Sequence, residues 1–188
     1  MTHALNNLKP SSNHAVALSL PKSEIVRRAN ALKLILTDSD GVLTDTGVYY
    51  SDNGEAFKRF SIRDGMGVER LRNAGIETAI ITGEISGSVQ KRAEKLKMPY
   101  LYLGVKDKRA KLDEILRETG LTLAQLGYIG DDVNDLEIIA EIKKAGLTAC
   151  PNDAMPIVQK AVHYKAKANG GYGAFRDFAE WILAHRIA

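Results

Sequence analysis

The sequence predicts an α/β fold, a doubly wound, mostly parallel sheet with helices on both faces. Short apolar runs alternate with segments of helical periodicity along most of the chain, which is typical of parallel sheets. Several runs end abruptly in polar residues, as buried strands do where they deliver ligand-binding groups at their carboxyl ends. With 188 residues, 45% of them hydrophobic, the chain can bury the core of one domain.

The predicted elements are a tail, then helices and strands that alternate along the chain. Residues 1–21 carry Asn, Ser and Pro without periodicity, which predicts a flexible tail before a single domain over residues 22–188. Apolar residues at helical spacing between Lys22 and Leu32 predict an amphipathic helix. The apolar runs predict strands at 34–37, 78–81, 100–104 and 126–129. The intervening and C-terminal segments predict helices near 67–73, 86–97, 108–119, 134–145 and 178–183.

One insertion interrupts this alternation between the first strand and the next helix. The aromatic segments Val48-Tyr49-Tyr50 and Ala56-Phe57-Lys58-Arg59-Phe60 flank Asp52-Asn53-Gly54. Asn-Gly readily adopts positive φ, so the pattern predicts a β-hairpin flap over about residues 46–62. Neither this interval nor the one after residue 82 has room for a cap domain, so the site beside the sheet is expected to be open.

The first strand ends in two carboxylates, Asp38 and Asp40, followed by Gly41. Like charges this close raise at least one pKa unless a cation is present, so the pair suits a metal site, a proton donor, or both. The spacing does not fit an EF-hand loop, because Leu36 would occupy the first ligand position. A solvated turn stays open as an alternative at this point.

Three further runs end in residues of complementary chemistry. They lead to Thr82 in Thr82-Gly83-Glu84, to Lys108 in Lys106-Asp107-Lys108, and to Asp131 in Gly130-Asp131-Asp132-Val133-Asn134-Asp135. Singly, each is more commonly a helix cap or a solvated helix-start residue. In this order, the set resembles the four motifs of the haloacid dehalogenase superfamily of phosphotransferases, and the resemblance covers the chain from about Lys33 to the C-terminus.

The resemblance implies a role for each residue. Asp38 would be the nucleophile that forms an aspartyl phosphate, and Asp40 the acid and base that protonates the leaving alcohol and deprotonates water. Thr82 would bind a phosphoryl oxygen, and Lys108 would neutralise the negative charge of the phosphate and of Asp38. Mg²⁺ would be bound by hard oxygen ligands. These ligands would be the Asp38 carboxylate, the Asp40 backbone carbonyl and Asp131. Residues next to the ligands would orient them without binding the ion, and these are Asp132, Asn134 and Asp135.

A narrower resemblance is carried by Asp-Gly-Val-Leu-Thr-Asp at residues 40–45, Arg63-Asp64-Gly65, and Gly-Gly-x-Gly-Ala-x-Arg at residues 170–176. These segments are similar to those of the capless phosphatases of 3-deoxy-2-ulosonate phosphates. That similarity implies a sugar-phosphate substrate and a homotetramer with active sites at subunit interfaces, the C-terminal segment covering a neighbour's site. The implied substrate-binding residues are Glu84, Arg92, Lys95, Arg63 and Arg176.

The family pattern leaves the sugar open. An eight-carbon octulosonate 8-phosphate is the first expectation. The members acting on octulosonate phosphate generally carry Arg after Thr-Gly, whereas Glu84 here, with Lys95 eleven positions later, resembles relatives acting on nine-carbon ulosonate 9-phosphates. Ser39 replaces the usual Val of the first motif, and its side chain is expected to point away from the chemistry.

Two other classes of protein share part of this chemistry. A receiver domain also combines an Asp, Mg²⁺, a Thr and a Lys, but it has no acidic cluster after the Lys. A capless phosphatase of proteins or nucleic-acid ends would be a monomer with an accessible site. A net charge of +3 is too small to indicate nucleic-acid binding, and no apolar run is long enough to cross a membrane. The single Cys150, expected to be buried, forms no disulfide within the chain, which favours a cytoplasmic protein.

Overall fold

A computed structural model describes residues 20–186. In that range the chain forms a six-stranded sheet, a separate two-stranded hairpin and seven α-helices. The strands are β1 (Leu34–Thr37), β2 (Val48–Ser51), β3 (Gly54–Lys58), β4 (Glu77–Ile81), β5 (Tyr100–Tyr102), β6 (Leu126–Ile129), β7 (Leu147–Cys150) and β8 (Tyr164–Lys165). The helices are α1 (Lys22–Ala31), α2 (Ile62–Asn73), α3 (Gly87–Lys95), α4 (Lys108–Thr119), α5 (Leu136–Lys143), α6 (Pro156–Ala161) and α7 (Ala174–His185).

The large sheet has the strand order β5-β4-β1-β6-β7-β8, and every neighbouring pair is parallel. The chain leaves the central strand β1 for β4 on one side and later returns to β6 on the other. Leu36 of β1 is paired with Ala79 and with Tyr128, so the three strands end at the same level. The crevice at such a switch of direction is where doubly wound sheets bind ligands.

Alternate side chains of each strand enter two separate cores, one on each face of the sheet. Ile35 packs on the face covered by α1, α2, α3 and α7, whereas Leu34 and Leu36 pack on the face covered by α4, α5 and α6. All four residues of β1 are buried. Helices therefore cover both faces, and the predicted doubly wound fold is confirmed.

The hairpin of β2 and β3 stands apart from the large sheet, where the Asn53-Gly54 turn predicted it. Gly54 has φ 98°, a conformation that Asn-Gly turns supply at low cost. The following helix α2 begins at Ile62, five residues before the predicted start at Gly67, because the Ser61 hydroxyl caps it by accepting a hydrogen bond from the Arg63 amide at 3.1 Å.

The C-terminal third contains elements that the sequence pattern did not predict. Strands β7 and β8 and helix α6 lie between residues 147 and 165, where no element was predicted. Helix α7 starts at Ala174 rather than at Phe178, and the carboxylate of Asp64 accepts a hydrogen bond from the Arg176 amide in its first turn. The predicted flexible tail lies, apart from Leu20 and Pro21, outside the described residues. Within residues 20–186, no helix is long and apolar enough to cross a membrane.

Candidate active site

The carboxyl ends of β1, β4 and β6 meet at a cavity of about 330 Å³. Asp38 follows β1, Thr82 follows β4 and Asp131 lies two residues beyond β6. The residues lining the cavity are Asp38, Asp40, Thr46, Thr82, Gly83, Glu84, Asp131, Asp132, Val133 and Asn134. Seven of the residues predicted to carry the chemistry thus border one space, and an eighth, Lys108, contacts Asp38 from behind.

The loop after β1 fixes the first two carboxylates. The Asp38 amide donates to the Ile129 carbonyl at 3.0 Å, which extends the parallel ladder by one residue. The chain then turns tightly, because the amides of Leu43 and Thr44 both donate to the Ser39 carbonyl. Gly41 has φ 83°, and a Cβ there would overlap the Asp131 carboxylate. Only glycine therefore lets this loop approach the residue that follows β6.

Lys108 is held between two carboxylates at the start of α4. Its Nζ lies 3.0 Å from Asp38 Oδ2 and 2.6 Å from Asp135 Oδ1, and its side chain is 1% exposed. Asp135 also accepts hydrogen bonds from the hydroxyl of Tyr128 at 2.6 Å and from the backbone amides of Asp131 and Asp132. Both Asp135 oxygens are therefore occupied, and this residue fixes the position of Lys108.

Burial and crowding of charge shift the ionisation of these groups. Burial, together with the charge of Asp135, raises the pKa of Asp38 to about 7 despite the ammonium of Lys108. Burial and the charges of Asp38 and Asp135 raise the pKa of Asp131 to about 8. Burial alone would lower the pKa of Lys108, but the two carboxylates outweigh it and hold this pKa above its ordinary value. Lys108 therefore stays charged. The positive charge beside Asp38 and Asp131 is too small to keep the pKa of either acid at its ordinary value.

Two of the acids around Lys108 can bind a divalent cation, and a third lies beside them. Oxygens of Asp38, Asp131 and Asp135 lie within 4.8 Å of one another, and Asp131 Oδ1 is buried without a hydrogen-bond partner. Because Asp135 is fully engaged, Asp38 and Asp131 are the side chains that can ligate an ion. The Asp40 carboxylate is bound by Lys58, which is compatible with the prediction that Asp40 contributes its backbone carbonyl instead. Carboxylate and carbonyl oxygens are the ligands that Mg²⁺ prefers.

Thr82 is placed to bind an anion with its side chain. Its amide donates to the Tyr102 carbonyl and its carbonyl accepts from the Val105 amide, so both backbone groups are satisfied. The hydroxyl oxygen accepts weakly from the Glu84 amide at 3.4 Å. The O–H proton can then be donated into the cavity, which is what the predicted contact to a phosphoryl oxygen requires.

The predicted supporting residues lie at the rim. Asp132 caps a short 3₁₀ helix (Val133–Asp135) by accepting from the Val133 amide, and Asn134 borders the cavity. Glu84 stands on the opposite rim, where its carboxylate is 3.3 Å from Lys106 and two-thirds exposed. The Ser39 hydroxyl is buried without a partner and does not line the cavity.

The four predicted substrate-binding cations do not reach this cavity within one chain. Arg92 is turned towards the start of α2, where it donates to the Ser61 carbonyl at 2.7 Å. Arg63 lines a separate cavity with Tyr172, and Arg176 pairs with Glu180 at 2.7 Å. Lys95 is exposed on α3. Their contact with a substrate therefore stays a prediction.

The sequence did not mark out Lys58 and Tyr128, which bind the acids of this site, or Thr46, which lines the cavity. Lys58 at the end of β3 bridges both oxygens of Asp40, and nothing in the alternation of the hairpin marked it out. Tyr128 lies inside a buried strand, where its hydroxyl needs a polar partner, and this need was a usable signal.

The fold and the site define a hydrolase of phosphate monoesters of the haloacid dehalogenase type. No family model matches the chain. It is 37% identical over 152 residues to the 3-deoxy-D-manno-octulosonate 8-phosphate phosphatase KdsC of Haemophilus influenzae, covering 81% of this chain and 83% of that protein. The chain belongs to this family of 3-deoxy-D-manno-octulosonate 8-phosphate phosphatases.

Solved structures agree with this membership. The phosphatase of the same name from Moraxella catarrhalis, in complex with a magnesium ion, a phosphate ion and a KDO molecule, superposes with a TM-score of 0.81 and 34% identity, covering 87% of this chain and 92% of that one. A Legionella pneumophila structure described as a HAD superfamily hydrolase of subfamily III A gives a TM-score of 0.81 at 34% identity, covering 87% and 88% of the two chains.

Proposed function

We propose that this protein is a Mg²⁺-dependent phosphatase that hydrolyses 3-deoxy-D-manno-octulosonate 8-phosphate through an aspartyl phosphate on Asp38. The observation that carries the proposal is the setting of Asp38. Its carboxylate faces the cavity, accepts from the Ser39 amide at 2.7 Å and contacts Lys108 at 3.0 Å, beside an unpartnered oxygen of Asp131. The relative crystallised with magnesium, phosphate and KDO supports the choice of cation and substrate.

In the first half-reaction, an Asp38 oxygen attacks phosphorus while the bond from phosphorus to the sugar oxygen breaks. Asp40 donates a proton to that departing oxygen, so the sugar leaves as an alcohol. Lys108 and the Thr82 hydroxyl bind phosphoryl oxygens and offset their charge. Without such cations, each charge pair between phosphate and Asp38 would cost about 4 kcal/mol at 4 Å in a partly screened site.

In the second half-reaction, water attacks the phosphorus of the aspartyl phosphate. Asp40, now ionised, takes the proton of the water, and the bond between phosphorus and the Asp38 oxygen breaks to release inorganic phosphate. The carboxylates of Asp38 and Asp131 and the Asp40 carbonyl would hold Mg²⁺. The ion supplies positive charge to the attacked phosphoryl group and relieves the repulsion between the two acids.

A second candidate substrate is a nine-carbon ulosonate 9-phosphate. Glu84 supports it, because Glu at this position, with Lys95 eleven residues later, resembles the relatives that act on nine-carbon esters. The carboxylate stands at the rim of the cavity, where it suits sugar hydroxyls and would repel phosphate. The eight-carbon substrate stands first because it is the substrate named for the curated relatives at 30% to 37% identity.

The experiment is a panel of sugar phosphates that includes octulosonate 8-phosphate and nine-carbon 9-phosphates, with release of inorganic phosphate measured over many turnovers. We expect the octulosonate ester to have the highest kcat/KM. Asp38→Asn should lower turnover by at least about a thousandfold, because an amide cannot form the acyl phosphate. Chelation should abolish activity and Mg²⁺ restore it. Near-normal activity of Asp38→Asn, or full activity in excess chelator, would contradict the mechanism.

We also infer that the protein is a cytoplasmic homotetramer in which neighbouring chains complete the sugar site. The hairpin supports this inference, since it exposes Tyr49, Tyr50 and Phe57 to 53%, 76% and 56%. Four cations lie outside the cavity of their own chain and would contact sugar that is bound to a neighbouring chain. They are Arg63, Arg92, Lys95 and Arg176. The lone, buried Cys150 supports a reducing compartment.

A further inference from the structure

Lys58 is a buried cation in an otherwise exposed hairpin. Its side chain is 1% exposed, whereas Phe57, the residue before it, is 56% exposed. Burying a lysine stem and its ammonium group costs free energy unless the charge is matched. The fold bears that cost at the end of β3, where the hairpin meets the loop that follows the central strand.

The ammonium group is surrounded by acceptors. Nζ lies 2.8 Å from Asp40 Oδ1, 2.7 Å from Asp40 Oδ2 and 3.4 Å from Glu55 Oε2. These three oxygens match its three N–H donors, so none is left over for a substrate. Glu55 in turn accepts a hydrogen bond from the hydroxyl of Ser86, the N-cap residue of α3.

We infer that Lys58 is a positioning residue that holds the Asp40 carboxylate in the orientation needed for proton transfer to the leaving oxygen. The inference rests on the proposed function, in which Asp40 is the acid and base. Lys58 is not among the residues lining the cavity, whereas Asp40 lines it and its side chain is 27% exposed. Lys58 therefore acts on the substrate through Asp40, and Asp40 is the group that contacts it.

The geometry explains why one contact alone would not suffice. An Asp carboxylate rotates freely about its last torsion, and a proton donor must lie within about 2.6–3.2 Å of the oxygen it protonates. Thr44 contacts only Oδ1 of Asp40, at 3.2 Å. Lys58 engages both oxygens, which fixes the plane of the carboxylate. The link through Glu55 to Ser86 ties that plane to the position of the hairpin beside α3.

The dependence on leaving group tests this inference, because protonation matters for a poor leaving group and little for a good one. We would measure release of the alcohol in single turnovers with excess enzyme, for phenyl phosphate and p-nitrophenyl phosphate. Lys58→Met should slow phenol release by about tenfold or more and p-nitrophenol release by less than about threefold. In an Asp40→Asn background, Lys58→Met should add less than about twofold, since its partner is already lost.

Lys91→Met is the matched control, since it removes a lysine whose side chain is 81% exposed on α3 and pairs with Glu94 on the same helix. It should behave as wild type with both esters. Lys58→Gln, which keeps one polar contact, serves the same comparison if the Met variant does not fold. Lys58→Arg should restore most of the phenyl phosphate rate, because a guanidinium also engages both oxygens of a carboxylate.

Equal losses on the two esters, or additive losses with Asp40→Asn, would overturn the role of Lys58 and leave the proposed function standing. A wild-type protein that releases phosphate from no ester of the panel would overturn the proposed function itself. The two failures are therefore distinguishable.

Discussion

Asp64, in the first turn of α2, is a buried carboxylate that caps the start of α7. Its Oδ1 accepts from the Arg176 amide at 2.9 Å, but its Oδ2 is buried without a partner. Burial raises the pKa of Asp64 to about 6, and the amides at the start of α7 reduce this rise without cancelling it. The ionised form is therefore less favourable in the folded chain than in the unfolded chain, where an Asp titrates near ~3.9.

This raised pKa makes the free energy of unfolding fall as pH rises. Between about pH 4 and pH 6 the folded chain binds more protons at Asp64 than the unfolded chain, so stability from this group is present at low pH and falls as pH rises through that window. A pKa raised from 3.8 to about 6 corresponds to about 3 kcal/mol. Asp64→Asn, which cannot ionise, should therefore gain stability relative to wild type as pH rises from 4 to 6.

Urea unfolding of both proteins at several pH values would measure this difference. Asp52→Asn removes an exposed carboxylate in the hairpin turn and serves as the control. A difference between wild type and Asp64→Asn that stays constant across the window would contradict the assignment of the shift to Asp64.

Among the elements, the segment before α7 contacts and supports the loop that carries Asp38 and Asp40 in the same chain. The Gly171 amide donates to the Val42 carbonyl at 2.9 Å, and the Gly170 amide donates to Asp153 at 2.9 Å. A Cβ on Gly170 would overlap the Gly41 carbonyl, so the two backbones touch. In this structure, the Gly-Gly pair supports the loop of its own chain. Covering of a neighbour's site by the C-terminal segment stays a prediction.

This contact predicts different outcomes for two Gly→Ala changes. Gly170→Ala should destabilise the protein by about 2 kcal/mol or more and lower kcat, because the added methyl pushes against the backbone of the loop that carries Asp38 and Asp40. Gly87→Ala should be neutral or stabilise by up to about 1 kcal/mol, since nothing lies within 4 Å of a Cβ there and the residue begins a helix. Thermal unfolding and steady-state kinetics would measure both. Equal behaviour of the two variants would exclude the bracing contact.

The elements that the sequence predicted well are those whose local pattern and tertiary role agree. The run before Asp38 is buried on both faces and ends where the chemistry begins, so apolar content and motif mark the same boundary. The start of α2 was missed because it depends on the Ser61 cap, and α7 begins early where Asp64, far away in sequence, meets its first turn. Lys58 was missed because a lysine in a hairpin strand is ordinarily solvated, and only the folded chain brings it to Asp40.

At the scale of the whole molecule, the two cores hold the residues of the cavity in place, whereas one side of the cavity stays open. The central strands are buried on both faces, which holds Asp38, Thr82 and Asp131 in fixed relation. The side of the cavity where the sugar would bind is open. Glu84 and Lys106 stand at its rim, and both side chains are largely exposed. A rigid phosphate site with an open sugar side supports the prediction that neighbouring chains complete the sugar site.

The exposed aromatic stack of the hairpin allows the predicted association of chains to be tested. Tyr49 and Phe57 lie face to face, with ring centroids 4.5 Å apart, and both are more than half exposed. Apolar patches of this kind mark contact surfaces. Phe57→Glu should therefore convert a tetramer into smaller species in sedimentation velocity, while Ile157→Glu, on the exposed side of α6, should leave the mass unchanged.

The kinetic consequence should be selective. The dissociated Phe57→Glu protein keeps Asp38, Asp40, Lys108 and Asp131 in one chain, so it should hydrolyse p-nitrophenyl phosphate at close to the wild-type rate. Its kcat/KM for the sugar phosphate should fall by about tenfold to a hundredfold, because losing one good polar contact from a neighbour costs about 1–3 kcal/mol. A wild-type chain that sediments as a monomer with full activity on the sugar phosphate would exclude a shared site, and the four cations outside the cavity would then need another explanation.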